Sequence, residues 1–244
     1  MTSMLFLKQT TADPITHTQQ PIVTGASVIG IKYADGVMLA ADTLASYGTM
    51  ARYKDTRRLR KVGENTIVGA SGEMSDFQRV MDKLAEMQQE DLNQDDGYTK
   101  SPSEIHSYLR AVMYRRRNKG NPYWNQLLVA GFRDENPFLG YVDLIGTAYE
   151  ENYIATGFGA YLAIPIIRDR WVPDMEEGEA RALLEDCLRV MFYRDCKASN
   201  RIQIAKATRD GTLVSEPYVL ENDWETATYY ARRPGVATVD TSSW

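Results

Sequence analysis

Between residues 25 and 220 the hydrophobic period switches from two to 3.6 and back, twice over. Few folds accept that order. Ala26 to Tyr33, Val37 to Ala41, Met50 to Lys54, Leu59 to Val62 and Asn65 to Ser71 are short and rich in β-branched or apolar residues, which predicts an antiparallel meander. Asp35-Gly36 predicts a two-residue hairpin turn of type I′. Met74 to Glu90 then places Phe77, Val80, Met81, Leu84 and Met87 on one helical face. Ser101-Pro102-Ser103-Glu104 is a helix start, with Ile105, Tyr108, Leu109, Val112 and Met113 as the buried stripe and Gly120-Asn121-Pro122 as the stop. Arg115, Arg116 and Arg117 suit the negative end of that helix and read as a solvated face or a subunit contact. Strands return at Asn125 to Phe132, Phe138 to Leu144 and Gly146 to Tyr149, with a loop at Asp134 to Pro137. Helices follow from Gly157 to about Arg170 and from Glu176 to Tyr193. Ile202 to Ala207 and Leu213 to Val219 close the pattern. Helices come in pairs and never alternate singly with strands, which excludes a doubly wound parallel sheet. Two antiparallel sheets face to face with helices outside each, a four-layer αββα sandwich of the α+β class, bury every apolar face.

Composition narrows the function classes. The chain is 43% hydrophobic and 25% charged, ordinary for a packed core. Its formal net charge of -5 argues against duplex DNA as a partner. No apolar run approaches the roughly 18 residues of a membrane span; the longest, Tyr161 to Ile167, contains Pro165. Cys187 and Cys196 form no C-x-x-C pattern, and His17 and His106 form no metal motif, so no metal or other cofactor is expected. The thiols read as reduced. Met4 to Leu7 is too short for a secretory core, so the expected location is cytoplasm and nucleus.

From Gly25 onward the chain resembles a mature 20S proteasome beta-type subunit. The landmarks are Ile31-Lys32-Tyr33, Gly36 to Asp42 (G-V-M-L-A-A-D), Gly69 to Gly72, Ala155-Thr156-Gly157 and Tyr193-Arg194-Asp195, in family order across residues 25–208. The resemblance implies the N-terminal nucleophile hydrolase fold and a place in the inner rings of a particle built from four seven-membered rings.

The family's chemistry needs a hydroxyl at a chain terminus, an amine as base, a nearby lysine and backbone oxyanion donors. Carried over position by position, the nucleophile falls on Ala26, whose methyl attacks nothing. The lysine position falls on Arg58, which keeps charge without an ammonium's geometry or acidity. The serine of the Gly-x-Gly turn is Phe158, and the serine after the later aspartate is Ala198. Asp42 and Asp195 keep their carboxylates and read as structural. A substitute nucleophile at Thr24 or Thr18 would start up to about 7 or 26 Å away along extended chain. Ser27, next to Ala26, would turn to the other face of a strand. The reading is an inactive member of a peptidase family, with an active threonine hydrolase using Thr24 or Thr18 as the alternative, and a free-standing binding module as a third class.

His17-Thr18-Gln19-Gln20-Pro21, residues 116–125, Phe138 to Val142 and Ala155 to Ala160 resemble the family's non-catalytic members at the seventh beta position. This implies that residues 1–17 are a propeptide cut at His17-Thr18, that 18–24 are an extended arm and that 25–220 form one domain. It also implies that 221–244 are an interface tail with Trp224, Tyr229 and Tyr230 as anchors. The implied partners are the other alpha and beta subunits, the opposite beta ring through the tail, and assembly chaperones.

Overall fold

The computed structural model describes residues 20–222 and Trp224. The first strands in chain order are β1 (Val23–Gly25), β2 (Val28–Tyr33), β3 (Gly36–Asp42), β4 (Ala45–Tyr47), β5 (Met50–Tyr53), β6 (Leu59–Val62) and β7 (Thr66–Glu73). Helices α1 (Met74–Gln94) and α2 (Pro102–Asn118) follow. Then come β8 (Asn125–Arg133), β9 (Asn136–Val142), β10 (Ala148–Glu150) and β11 (Tyr153–Ala155). Helices α3 (Gly159–Leu162), α4 (Ile164–Arg170) and α5 (Glu177–Arg194) precede β12 (Arg201–Thr208), β13 (Gly211–Val214) and β14 (Tyr218–Val219).

Two antiparallel sheets result. One has the order β10-β9-β8-β7-β1-β4-β5, with β6 also on β7; the other has the order β11-β2-β3-β12-β13, with β14 also on β12. Three apolar clusters correspond to three interlayer spaces. Phe77, Val80, Leu84, Ile105, Leu109 and Met113 of α1 and α2 meet Val68, Ala70, Leu127 and Val129 of the first sheet. Leu183, Leu184, Leu188 and Met191 of α5 meet Ile29, Ile31, Met38 and Ala40 of the second. Between the sheets lie Val37, Leu39, Ala41, Ile67, Leu128, Ala130, Leu139 and Ala205. Alternation explains the split: along β3, Val37, Leu39 and Ala41 face the other sheet, whereas Met38 and Ala40 face the helices. The αββα order expected from the periods is the order found.

The local start signals work as side-chain chemistry. Ser101 and Glu104 form a reciprocal capping box at α2, with Pro102 in the first turn. Glu176 and Glu179 do the same at α5.

Several expectations change. The β2–β3 turn is Ala34-Asp35, because Tyr33 pairs with Gly36, and neither turn residue has positive φ, so it is not type I′. Gly36 is glycine for another reason: a Cβ there would lie 2.1 Å from the carbonyl oxygen of Ala207 on the neighbouring β12. Asp134 and Glu135, expected as part of a looser loop, make the tight turn instead, with φ of 52° and 63° and Arg133 paired to Asn136. The segment after Gly157 is two helices rather than one. Residues 211–219 form two short strands, and Tyr153–Ala155 is an additional strand that crosses to the second sheet. Val23 and Thr24, expected as the end of an extended arm, belong to a strand held on both sides, by β4 and by β7.

Candidate functional site

The chain leaves the first sheet at Gly25 and enters the second at Val28, so Ala26 and Ser27 bridge the two sheets. A cleft of about 300 Å³ opens at this bridge, lined by Thr24, Ala26, Ser71, Gln126, Phe158 and Asp195 among others. The bridge is fastened from both sides. Val28 N–H donates to Thr156 Oγ1 at 2.8 Å, and Gly159 N–H donates to Ser27 Oγ at 2.9 Å. Ser27 therefore does reach the cleft, contrary to simple strand alternation, because it lies between strands rather than within one. Its hydroxyl oxygen serves as an acceptor for the first turn of α3.

Arg58 is the centre of the arrangement. It is 0% exposed. Its Nε–H donates to the carbonyl of Asp42 at 3.0 Å. Nη1 donates to the carbonyls of Ala26 at 2.8 Å and Ala70 at 3.2 Å. Nη2 donates to the carbonyl of Ser27 at 3.1 Å and to Oδ1 of Asp42. A guanidinium has five N–H donors, and all five are used on acceptors inside the protein. Four of these acceptors are main-chain carbonyls that come from β3, β7 and the bridge, so one side chain ties both sheets together at the cleft floor. Gly25 must be glycine here: an added Cβ would lie 2.4 Å from Arg58 Cδ.

Asp42 completes the pair. Its Oδ2 accepts Ser199 N–H at 2.7 Å. Burial pushes its carboxyl above the usual range; Arg58 and the Ser199 amide pull the other way, and the charge of Asp195 adds to the rise. Asp195 lines the cleft at the end of α5, and its Oδ1 accepts Lys197 N–H at 2.9 Å, closing the turn that follows. Phe158 is 60% exposed at the cleft rim. Ala198 is not among the lining residues; it packs against the core on the helix side. Of the positions expected from the sequence, Ala26, Asp42, Arg58, Phe158 and Asp195 thus gather at one place and Ala198 stands behind it. Thr24 lines the cleft as the middle residue of β1. Trp224 packs edge-on against Tyr193 at 4.7 Å and Phe192 at 5.7 Å yet stays 60% exposed. His17, Thr18, Tyr229 and Tyr230 lie outside the described residues.

Sequence reasoning passed over two residues. Gln126 Oε1 accepts Gly157 N–H at 2.8 Å and so holds the Phe158 turn against β8. Glu73, 8% exposed, caps α1 through Ser75 N–H and also accepts the N–H groups of Ile22 and Val23 on one oxygen. Glu73 had a readable signal, an acid just before a helical stripe; Gln126 had none, since a glutamine on a strand is read as solvent-facing.

Comparison with known proteins places this geometry. A family model described as "Proteasome subunit" matches residues 22–207, from the residue before β1 to the penultimate residue of β12. The chain belongs to the proteasome beta-subunit family. It is 46% identical over 221 residues to the proteasome subunit beta type-4 of Arabidopsis thaliana, covering 91% of this chain and 90% of that one. It is 47% identical over 225 residues to a probable proteasome subunit beta type-7 of Schizosaccharomyces pombe, covering 89% and 86%. It is 45% identical over 218 residues to the beta type-4 subunit of Xenopus laevis, covering 88% and 90%. The sandwich is the N-terminal nucleophile hydrolase fold, and this beta subunit is a component of the 20S core, a multi-subunit peptidase complex.

Proposed function

We propose that this beta subunit is a non-catalytic building block of the 20S core in ubiquitin-dependent protein degradation, completing the beta ring and lining the chamber without cutting. The observation that carries the reading is the fully spent guanidinium of Arg58 beneath a methyl group. Ala26 offers no nucleophilic atom, whether or not the chain is cut before it. Arg58 has no N–H left to stabilise a developing charge in the cleft. Thr24 supplies a hydroxyl at the rim, which favours it over Thr18 as an alternative nucleophile. To act with a terminal amine as base, Thr24 would have to become the first residue. Freeing it by cleavage after Val23 would discard the two N–H groups that Glu73 accepts.

The decisive experiment uses purified core particles from the source cells. With the catalytic subunits blocked, a threonine-directed epoxyketone or β-lactone is added and every chain is examined by peptide mass spectrometry. No adduct on residues 1–244 is the expected result; an adduct at Thr24 or Thr18, with residual peptidase turnover, overturns the reading.

The same reading assigns roles to the ends. Residues 1–17 are a propeptide removed by a neighbouring active subunit, leaving Thr18 as the first residue; intact mass of the chain from particles measures this directly. Residues 221–244 reach the opposite beta ring and help join half-particles, with assembly chaperones acting before that step. Truncation at Glu221 then lowers the yield of full particles relative to half-particles, and an unchanged ratio rejects the tail's role. The particle resides in cytoplasm and nucleus.

A further inference from the structure

On the far side of the first sheet from the second, α2 and the turn between β9 and β10 enclose a groove of about 490 Å³. Arg110, Tyr114 and Arg117 stand along it at spacings of four and three residues, hence on one face of α2. Both arginines and Tyr114 are exposed, and Ile145 forms the opposite lip at 49% exposure. The groove is rigidly built. Gly146 has φ of 85°, and a Cβ there would lie 2.7 Å from Tyr114 Cβ, so the turn is pressed directly onto the helix. Within the turn, Oδ1 of Asp143 accepts Ile145 N–H at 3.0 Å and Thr147 N–H at 2.8 Å. Neither Arg110 nor Arg117 makes an ion pair among the described residues. Arg117 lies instead 5.9 Å from the centre of the Tyr114 ring.

We propose that this groove seats an extended, acidic segment of a neighbouring subunit in the particle, its carboxylates forming bidentate pairs with Arg110 and Arg117 and an apolar side chain lying between Tyr114 and Ile145. Two unpaired guanidinium groups on an otherwise acidic chain of net charge -5 call for carboxylates supplied from outside. Seven helical residues span about 10 Å, and an extended strand covers that in about three. With the reach of two arginine side chains added, the segment carries two acids two to four residues apart. A groove with an aromatic wall on one side and an isoleucine on the other fits a peptide better than a phosphate backbone, for which a longer basic stripe would be needed. The inference rests on the assembly of this family member into a particle and is independent of whether the cleft at Ala26 is active.

The test places the photo-cross-linker p-benzoylphenylalanine at Ile145 in the full chain, purifies assembled particles, irradiates them and maps the products by mass spectrometry. The expected result is one cross-linked segment of a neighbouring subunit with two Asp or Glu residues within four positions of each other. The double substitution R110E/R117E lowers that cross-link at least tenfold, and R115E, on a different face of α2, leaves it unchanged. No cross-link in intact particles overturns the proposal. So does a segment without carboxylates, a product containing nucleic acid, or a cross-link indifferent to R110E/R117E. Where the double variant does not enter particles, the composition of the segment captured with both arginines in place decides the matter by itself.

Discussion

At the residue scale, Arg58 sets the character of the site. A buried arginine is expensive to desolvate, and it is tolerated where each donor has an acceptor. Here each does: four main-chain carbonyls and the Asp42 carboxylate take all five donors. Arg58→Lys tests this geometry. A lysine has three donors on a flexible stem, so at least two of the five acceptors, the carbonyls of Ala26, Ser27, Asp42 and Ala70 and the Asp42 carboxylate, lose their partner. Loss of about 2–3 kcal/mol is expected from unsatisfied buried acceptors alone. Arg58→Ala leaves Asp42 as an uncompensated buried charge and is expected to cost about 3–5 kcal/mol. Urea unfolding midpoints of the chain measure both. A lysine variant as stable as the parent would mean that the five-donor arrangement contributes little. The presence of Ala26, Asp42 and Arg58 at one place was legible through their resemblance to a known site. The role of Arg58 was not, because four of its acceptors are main-chain carbonyls, which leave no trace in a list of side chains.

At the element scale, β1 shows where sequence patterns stop. Three residues between Pro21 and the Ala26–Ser27 bridge give no period to read, and β1 is a strand only because β4 and β7 stand on either side of it. Glu73 holds its leading end. Glu73→Ala removes the acceptor for Ile22 and Val23 N–H together with the α1 cap at Ser75, with an expected cost of about 1–2 kcal/mol. Limited proteolysis separates the two effects: faster cleavage between residues 20 and 24 with the rest intact reports release of β1, whereas general fragility reports loss of the cap. The β2–β3 hairpin carries a complementary lesson. Asp-Gly is a strong turn signal, yet here the glycine is required by the close passage of Ala207, one strand over, and the turn shifts back by one residue. Helix α5 contrasts two thiols. Burial pushes Cys187 up to about 12, while Cys196, two residues past the helix, is exposed. At pH 8 a maleimide is expected to label Cys196 in the native chain within minutes and Cys187 only after denaturation. Rapid labelling of both would show that α5 opens in the native state.

At the scale of the whole molecule, the layer order was readable because each of the three interlayer spaces imposes its own period on the elements around it. The assignment of β11 to the second sheet, and hence the delivery of Gly157 and Phe158 to the cleft, was not readable, since three residues cannot announce which of two sheets they join. Two of the three interlayer spaces hold neutral, proton-bearing groups away from water. Tyr33 and Cys187 border the outer space of the second sheet, and Tyr141 lies in the space between the sheets. Burial raises all three above their ordinary values, with nearby acids adding to the rise for each: Glu177 and Asp35 for Tyr33, Asp143 for Tyr141 and Asp186 for Cys187. In an unfolded chain a thiol ionises near 8.5 and a tyrosine near 10. The folded chain keeps its protons through that window, so the unfolded state binds fewer of them and stability falls as pH rises. The stabilisation is complete below about pH 8.5 and is lost progressively toward pH 12. Denaturation midpoints at pH 7.5, 9 and 10.5 should therefore decline, most steeply over the last interval. Tyr33→Phe sharpens the test: the Tyr33 hydroxyl has no partner among the described residues, so this substitution should leave stability at pH 7.5 nearly unchanged and flatten the alkaline decline. A decline of equal slope in both proteins would remove Tyr33 from the account and leave the alkaline sensitivity to Tyr141, Cys187 and the other tyrosines that burial raises, Tyr149 and Tyr218.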